Sequence, residues 1–213
     1  MGVFKRAFAS VLAAAILICA SGCSKSRKAF SFSDVENTMI SRNAVKFDDC
    51  TSFSRAVMSA TDSNGDLVYM NCDGTDAQSI YNVIVNQSYI LPACELESAF
   101  YMCRWQKDKS GDPADTTIYI LTFKDGKTAE KMFSAIELQL IKSWSGGEIV
   151  SGRKDYQYST LIVEGNGNKY ERGLYRCKNT LLFVKGLCTD YGDDEIVGEI
   201  CDKLDVVTPM NAK

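Results

Sequence analysis

Seven cysteines follow Cys23, at Cys50, Cys72, Cys94, Cys103, Cys177, Cys188 and Cys201, and no histidine occurs anywhere in the 213 residues. The missing imidazole removes Ser-His-Asp and Cys-His nucleophile activation. It also removes the His-bearing zinc sites of metalloproteases and deaminases. An enzyme built from this chain would have to run on carboxylates, Lys, Tyr or Cys alone. No CxxC occurs, which argues against a thioredoxin-like redox site and a Cys-rich zinc knuckle. Seven is odd, so at least one thiol stays free or pairs outside the chain. Several of the seven also read as small buried hydrophobes. No cofactor or metal site is expected.

The acidic residues offer two kinds of chemistry. Asp190, Asp193, Asp194 and Glu195 crowd the start of a helix. They lack the ordered ligand spacing of a calcium loop, and they suit N-terminal capping and the helix dipole. Asp62 to Asp66 resembles a calcium loop only superficially and reads as a hairpin turn at Asn64-Gly65. A carboxylate enzyme acting on cell-wall glycans would draw on acids such as Glu95, Glu97, Asp190 or Glu195. Such an enzyme needs two carboxyls roughly 5–10 Å apart in a cleft. The Gly-rich stretches Ser145-Gly146-Gly147 and Gly165-Asn166-Gly167 lack the context of a phosphate cradle and read as turns.

The aromatic residues offer binding. Tyr101 and Trp105 alternate on one strand, and Tyr156 and Tyr158 on another, so each pair projects to one side. Such side chains often dominate binding energy. The four are the candidate face for a protein or glycan partner, against the alternative that they fill strands and core.

The first 23 residues give an address. Lys5 and Arg6 form a basic start, Ala7 to Ala20 is uncharged and largely apolar, and Ala20-Ser21-Gly22 precede Cys23. The apolar stretch is shorter than the roughly 20 residues a spanning helix needs. The segment resembles the lipobox of bacterial lipoproteins. That resemblance implies removal of residues 1–22 and acylation of Cys23. It also implies lipid anchoring to the cell membrane or outer membrane on the extracytoplasmic side. Ala20 departs from the Leu most common at the first lipobox position. Residues 23–29 form a short tether whose cations Lys25, Arg27 and Lys28 could lean on anionic lipid heads. The whole chain carries a net charge of −3, so nothing attracts it generally to nucleic acid.

The body reads as one α+β domain over 30–207, with a tail at 208–213. A strand, an Asp-Gly pair and an amphipathic helix recur. Asp73-Gly74 aligns with Asp125-Gly126. Ala77, Ile80, Tyr81 and Ile84 align with Ala129, Met132, Phe133 and Ile136 at the i, i+3, i+4, i+7 spacing of a helix stripe. A weaker third copy runs from Leu181 to Leu204. Each copy is expected to open with a hairpin, the first pairing Phe53–Ser63 with Asp66–Cys72. Ser33 to Glu36 reads as a capping box opening a helix to Arg42. Glu148–Arg153, Gln157–Glu164 and Lys169–Cys177 read as further strands. The expected architecture is an antiparallel sheet of two or three ββα units with helices on one face. In this alignment Cys103 matches Cys177, which makes them a candidate disulfide if their strands are neighbours.

These readings favour a non-enzymatic envelope lipoprotein that binds a protein or surface ligand. The alternative is a cell-wall-directed enzyme using paired carboxylates, and a thiol-active protein is the third.

Overall fold

The computed structural model describes residues 27–58, 65–82, 91–107, 111, 113–142, 146–165, 167–188 and 193–213. Cys23, the signal segment, Asn64, Trp144 and Asp190 lie outside the described residues. So do the side chains of Asp193, Asp194 and Glu195.

Among the described residues, eight strands form one sheet: β1 (Val45–Lys46), β2 (Leu67–Asp73), β3 (Leu96–Lys107), β4 (Pro113–Phe123), β5 (Glu148–Arg153), β6 (Gln157–Gly165), β7 (Asn168–Cys177) and β8 (Thr180–Leu187). Their order is β1-β2-β3-β4-β8-β7-β6-β5. Every neighbouring pair is antiparallel except β1 with β2. The helices are α1 (Glu36–Ser41), α2 (Cys50–Met58), α3 (Gly74–Ile80), α4 (Gly126–Ile136) and α5 (Asp193–Lys203).

The helices cover both faces, not one. Phe53 of α2, Ile80 of α3 and Met132 of α4 pack on the first face against Tyr101, Tyr119 and Phe183. Met39 of α1 and Ile196 and Ile200 of α5 pack on the second against Met102, Ile118 and Tyr175. Central strands buried on both sides carry apolar residues at consecutive positions. Ile118-Tyr119-Ile120-Leu121 in β4 and Leu181-Leu182-Phe183-Val184 in β8 are such runs, and all eight residues are buried.

Over residues 53–58 the expected hairpin strand Phe53–Ser63 is replaced by α2; residues 59–63 lie outside the described residues. Asp49 accepts the Ser52 amide at 2.8 Å to start the helix, and Phe53 and Val57 bury one stripe four residues apart. The capping box at Ser33 is displaced as well. Ser31 caps a short 3-10 turn at Phe32–Asp34, and α1 follows it.

The two Asp-Gly helices, α3 and α4, lie on the same face. Asp125 caps α4 by accepting the Thr128 amide at 2.8 Å. Asp73 occupies the same place before α3 without a side-chain cap bond. Buried Ala77, Ile80 and Tyr81 correspond to buried Ala129, Met132 and Phe133. The third copy departs from the pattern, because α5 lies on the opposite face. The tail at 208–213 also joins the body: Pro209 is buried, and the Val207 carbonyl before it accepts Tyr175 Oη at 2.7 Å.

Candidate functional site

The four candidate binding aromatics do not form one face. Tyr101 belongs to the first-face core and Trp105 packs against it, while Tyr156 and Tyr158 belong to the second-face core. Tyr101, Tyr156 and Tyr158 are each at most 7% exposed. Trp105 spends its indole N–H on the Val57 carbonyl at 3.1 Å, tying β3 to the end of α2. These rings fill the core because helices remote in sequence cover both sides of their strands.

The Cys103–Cys177 bridge is ruled out by topology. β4 and β8 separate their strands, and their side chains enter opposite cores. Neighbouring strands lie about 4.8 Å apart, so the two Cα atoms sit far beyond the roughly 7 Å that a disulfide allows. Neither cysteine is in a disulfide, nor are Cys50, Cys72, Cys94, Cys188 and Cys201. Burial pushes the thiols of Cys72 and Cys103 up to about 12. It also raises Cys50, Cys94, Cys177 and Cys201. A nucleophilic cysteine needs the opposite shift.

Cys177 instead helps to seat the tether. Its Sγ donates to the Lys28 carbonyl at 3.2 Å. Two residues on, the Phe30 amide donates to Thr180 Oγ1 at 3.0 Å. Arg27, expected to lean on lipid, docks on the protein. Its guanidinium donates to the carbonyls of Leu204 and Asp205 at the end of α5, and to Asp155 at 3.3 Å. It also lies over the Tyr156 ring, 4.5 Å from the centroid. The helix C-terminus is the end that favours a cation. Its side chain is 9% exposed. Arg27, inside the segment read as tether, is therefore part of the folded body.

A groove of about 250 Å³ opens beside this junction. Phe30, Phe32 and Phe100 supply its apolar wall. Phe32 stacks on Phe100 at 4.9 Å between centroids, and only Phe32 of the three is half-exposed. The opposite wall comes from strand ends of the second face: Asn71 and Asp73 of β2, Ser98 of β3 and Thr122 of β4. Pairing in register sets Asp73, Ser98 and Thr122 at one level across β2, β3 and β4, with Asn71 two residues away along β2 beside Phe100. The groove thus offers one ring face, an amide, a carboxylate and the hydroxyls of Ser31, Ser33, Ser98 and Thr122. The sequence signal for it, Phe30-Ser31-Phe32-Ser33, is an alternation too short to stand out.

Glu95 forms an exposed ion pair with Lys124, which holds its carboxyl below the ordinary carboxylate range. A general acid near neutral pH needs the reverse. Among the described residues, no group of three or more Cys, Asp or Glu could hold a metal ion. No helix among them is long and apolar enough to cross a membrane.

No family model, curated protein or solved structure matches this chain.

Proposed function

We propose that this chain is an envelope lipoprotein, acylated on Cys23, that works by binding rather than by catalysis. Its ligand is a hydroxyl-rich one of the cell-wall glycan type, held in the groove between Phe32 and the Asn71–Asp73 wall. The observation that carries this reading is the groove's composition. A half-exposed ring beside a row of amide, hydroxyl and carboxylate groups suits a ligand with an apolar face and a polar rim. The address rests on the basic start, the apolar stretch and the small residues before Cys23. Arg27 stands four residues after Cys23 in the sequence, a reach of at most about 14 Å. The groove would therefore work close to the membrane surface, on the extracytoplasmic side of the cell membrane or outer membrane.

The shared strand–Asp-Gly–helix plan of α3 and α4 belongs to the same proposal, as a duplicated unit. The paired-carboxylate alternative loses support from Glu95, whose carboxyl is held ionised by Lys124.

Calorimetric titration of the detergent-extracted mature chain with soluble wall fragments tests the reading. Saturable heat that disappears in Phe32→Ala and Asn71→Ala is expected. Equal heats in wild type and both variants, or none in wild type, would reject the groove as the site.

A further inference from the structure

We infer that β5 is a self-pairing edge, through which two copies of this chain join antiparallel with Ser151 at the centre.

The sheet has two edges. β1 is two residues long and leaves little ladder to extend. β5 runs six residues without proline and pairs with β6 in unbroken register. Natural edges are commonly protected by Pro, bulges or inward-pointing charge. β5 has no Pro or bulge, and its charged residues stand at its ends, Glu148 at one and Arg153 followed by Lys154 at the other.

The pairing parity is fixed by the turn. The Lys154 amide donates to the Tyr156 carbonyl at 2.8 Å, next to the Arg153–Gln157 pair. Backbone groups alternate sides along a strand. Lys154, Gly152 and Val150 therefore turn theirs toward β6. Arg153, Ser151 and Ile149 turn theirs out of the sheet.

Symmetry then narrows the register. Two identical antiparallel strands are related by a twofold axis normal to the sheet, so one residue must pair with itself. Centring on Ser151 sets Ile149 opposite Arg153, and Glu148 opposite Lys154, each twice. Centring on Val150 would set Arg153 against Gly147 and Glu148 against Gly152, leaving both charges without a counterpart. Opposite charges directly across strands stabilise a pair, so charge selects the Ser151 register. Ile149, 40% exposed, would gain cover from the partner's Arg153 stem. Tyr158 already covers Gly152: a Cβ there would meet the Tyr158 hydroxyl at 2.5 Å.

The axis lies normal to the sheet, so both Arg27 side chains fall on one side of the joined sheet. Two anchors could thus enter a single bilayer, although the self-pairing does not depend on the anchor.

Sedimentation of the detergent-extracted mature chain tests this, together with disulfide trapping of Ser151→Cys. A centred hydrogen-bonded pair places the two Cα atoms about 5.5 Å apart, within disulfide range. Mild oxidation with a small-molecule disulfide should give a reducible dimer whose peptides map to Cys at 151 in both chains. Ser151→Pro removes an outward N–H and spares the β5–β6 ladder, as proline is tolerated on edges. It should sediment as a monomer, with a melting temperature close to that of Ser151→Ala, which also loses the 2.8 Å hydroxyl bond to Ser159 but keeps the N–H and should stay a dimer. Lys154→Glu should weaken self-association about tenfold, and adding Glu148→Lys should restore it. A monomer at every concentration, a dimer that survives Ser151→Pro unchanged, or another polypeptide seated on β5 in place of a second copy would each overturn the inference.

Discussion

Replacing Arg27 with alanine should release the start of the body and cost about 2 kcal/mol. The guanidinium donates to two backbone carbonyls at the end of α5. Hydrogen bonds from a charged donor are each worth about 1.5–3 kcal/mol net when both groups are sequestered. These are only part-buried or exposed, so about 0.5–1 kcal/mol each is the appropriate scale. The contact with the Tyr156 ring adds about 0.5–1 kcal/mol. Asp155 and Asp205 are 54% and 97% exposed at the side chain, and their ion pairs add only a few tenths. For a chain of this size, about 2 kcal/mol lowers the melting temperature by roughly 4–8 °C. The local effect should exceed the global one. Lys28 is exposed, but the Arg27 contacts and the Cys177–Lys28 bond hold its backbone. Thermal denaturation followed by circular dichroism would give the first quantity. Timed trypsin digestion with mass analysis would give the second: slow cleavage after Lys28 in wild type and early cleavage there in Arg27→Ala. An unchanged melting temperature with equal cleavage rates would refute the seating of the tether on α5.

Packing and titration give four further expected outcomes. Gly173→Ala should destabilise by about 2 kcal/mol, because its Cβ would lie 2.5 Å from the hydroxyl of fully buried Tyr175, which is itself bonded to Val207; urea melts would show a lower midpoint at constant slope. Phe53→Ala should cost about 3–5 kcal/mol, since the ring is 0% exposed between Phe47 and Tyr101. At alkaline pH the raised thiols of Cys72 and Cys103 make a stability contribution that is complete below the unfolded value near 9 and lost as pH rises toward about 12. At acid pH the capping carboxyls of Asp49 and Asp125, lowered by the amides of Ser52 and Thr128, contribute above the unfolded value near 3.8 and lose that contribution as pH falls below it. Chemical melts across both ranges should show the two declines on either side of a plateau.

The strands and α4 were legible because their signals are local. The turn residues Gly165-Asn166-Gly167 in the sequence mark the β6–β7 hairpin, and Asn179, beside Lys178 at φ +54°, marks the turn from β7 to β8. The i, i+3, i+4, i+7 stripe after Asp125-Gly126 specifies α4. What stayed hidden depends on contacts between distant segments. Tyr101, Tyr156 and Tyr158 share the residue types of a binding surface and of a core. Only the placement of α1, α2 and α5 decides between the two. The runs Ile118–Leu121 and Leu181–Val184 carried the clue, since a strand facing water on one side would alternate. Phe53 to Ser63 reads as a strand, although 50–58 is helix, because Phe53 and Val57 give only two points of a helical stripe beside a strong hairpin turn. The equivalence of Cys103 and Cys177 held only in the alignment. α5 crosses to the second face, so matched side chains enter different cores. Arg27 and Phe32 were missed as site residues because nothing in a basic tether or a short Phe-Ser alternation shows what they touch.

The most direct test of the central claim is photo-crosslinking inside the native envelope, with a photoreactive aromatic residue at Phe32 and another at the exposed control position Leu138. The account predicts wall-glycan adducts at Phe32 that disappear when Ser98→Trp fills the groove, and few at Leu138. Equal labelling at both positions, or adducts at Phe32 that persist with the groove filled, would contradict it.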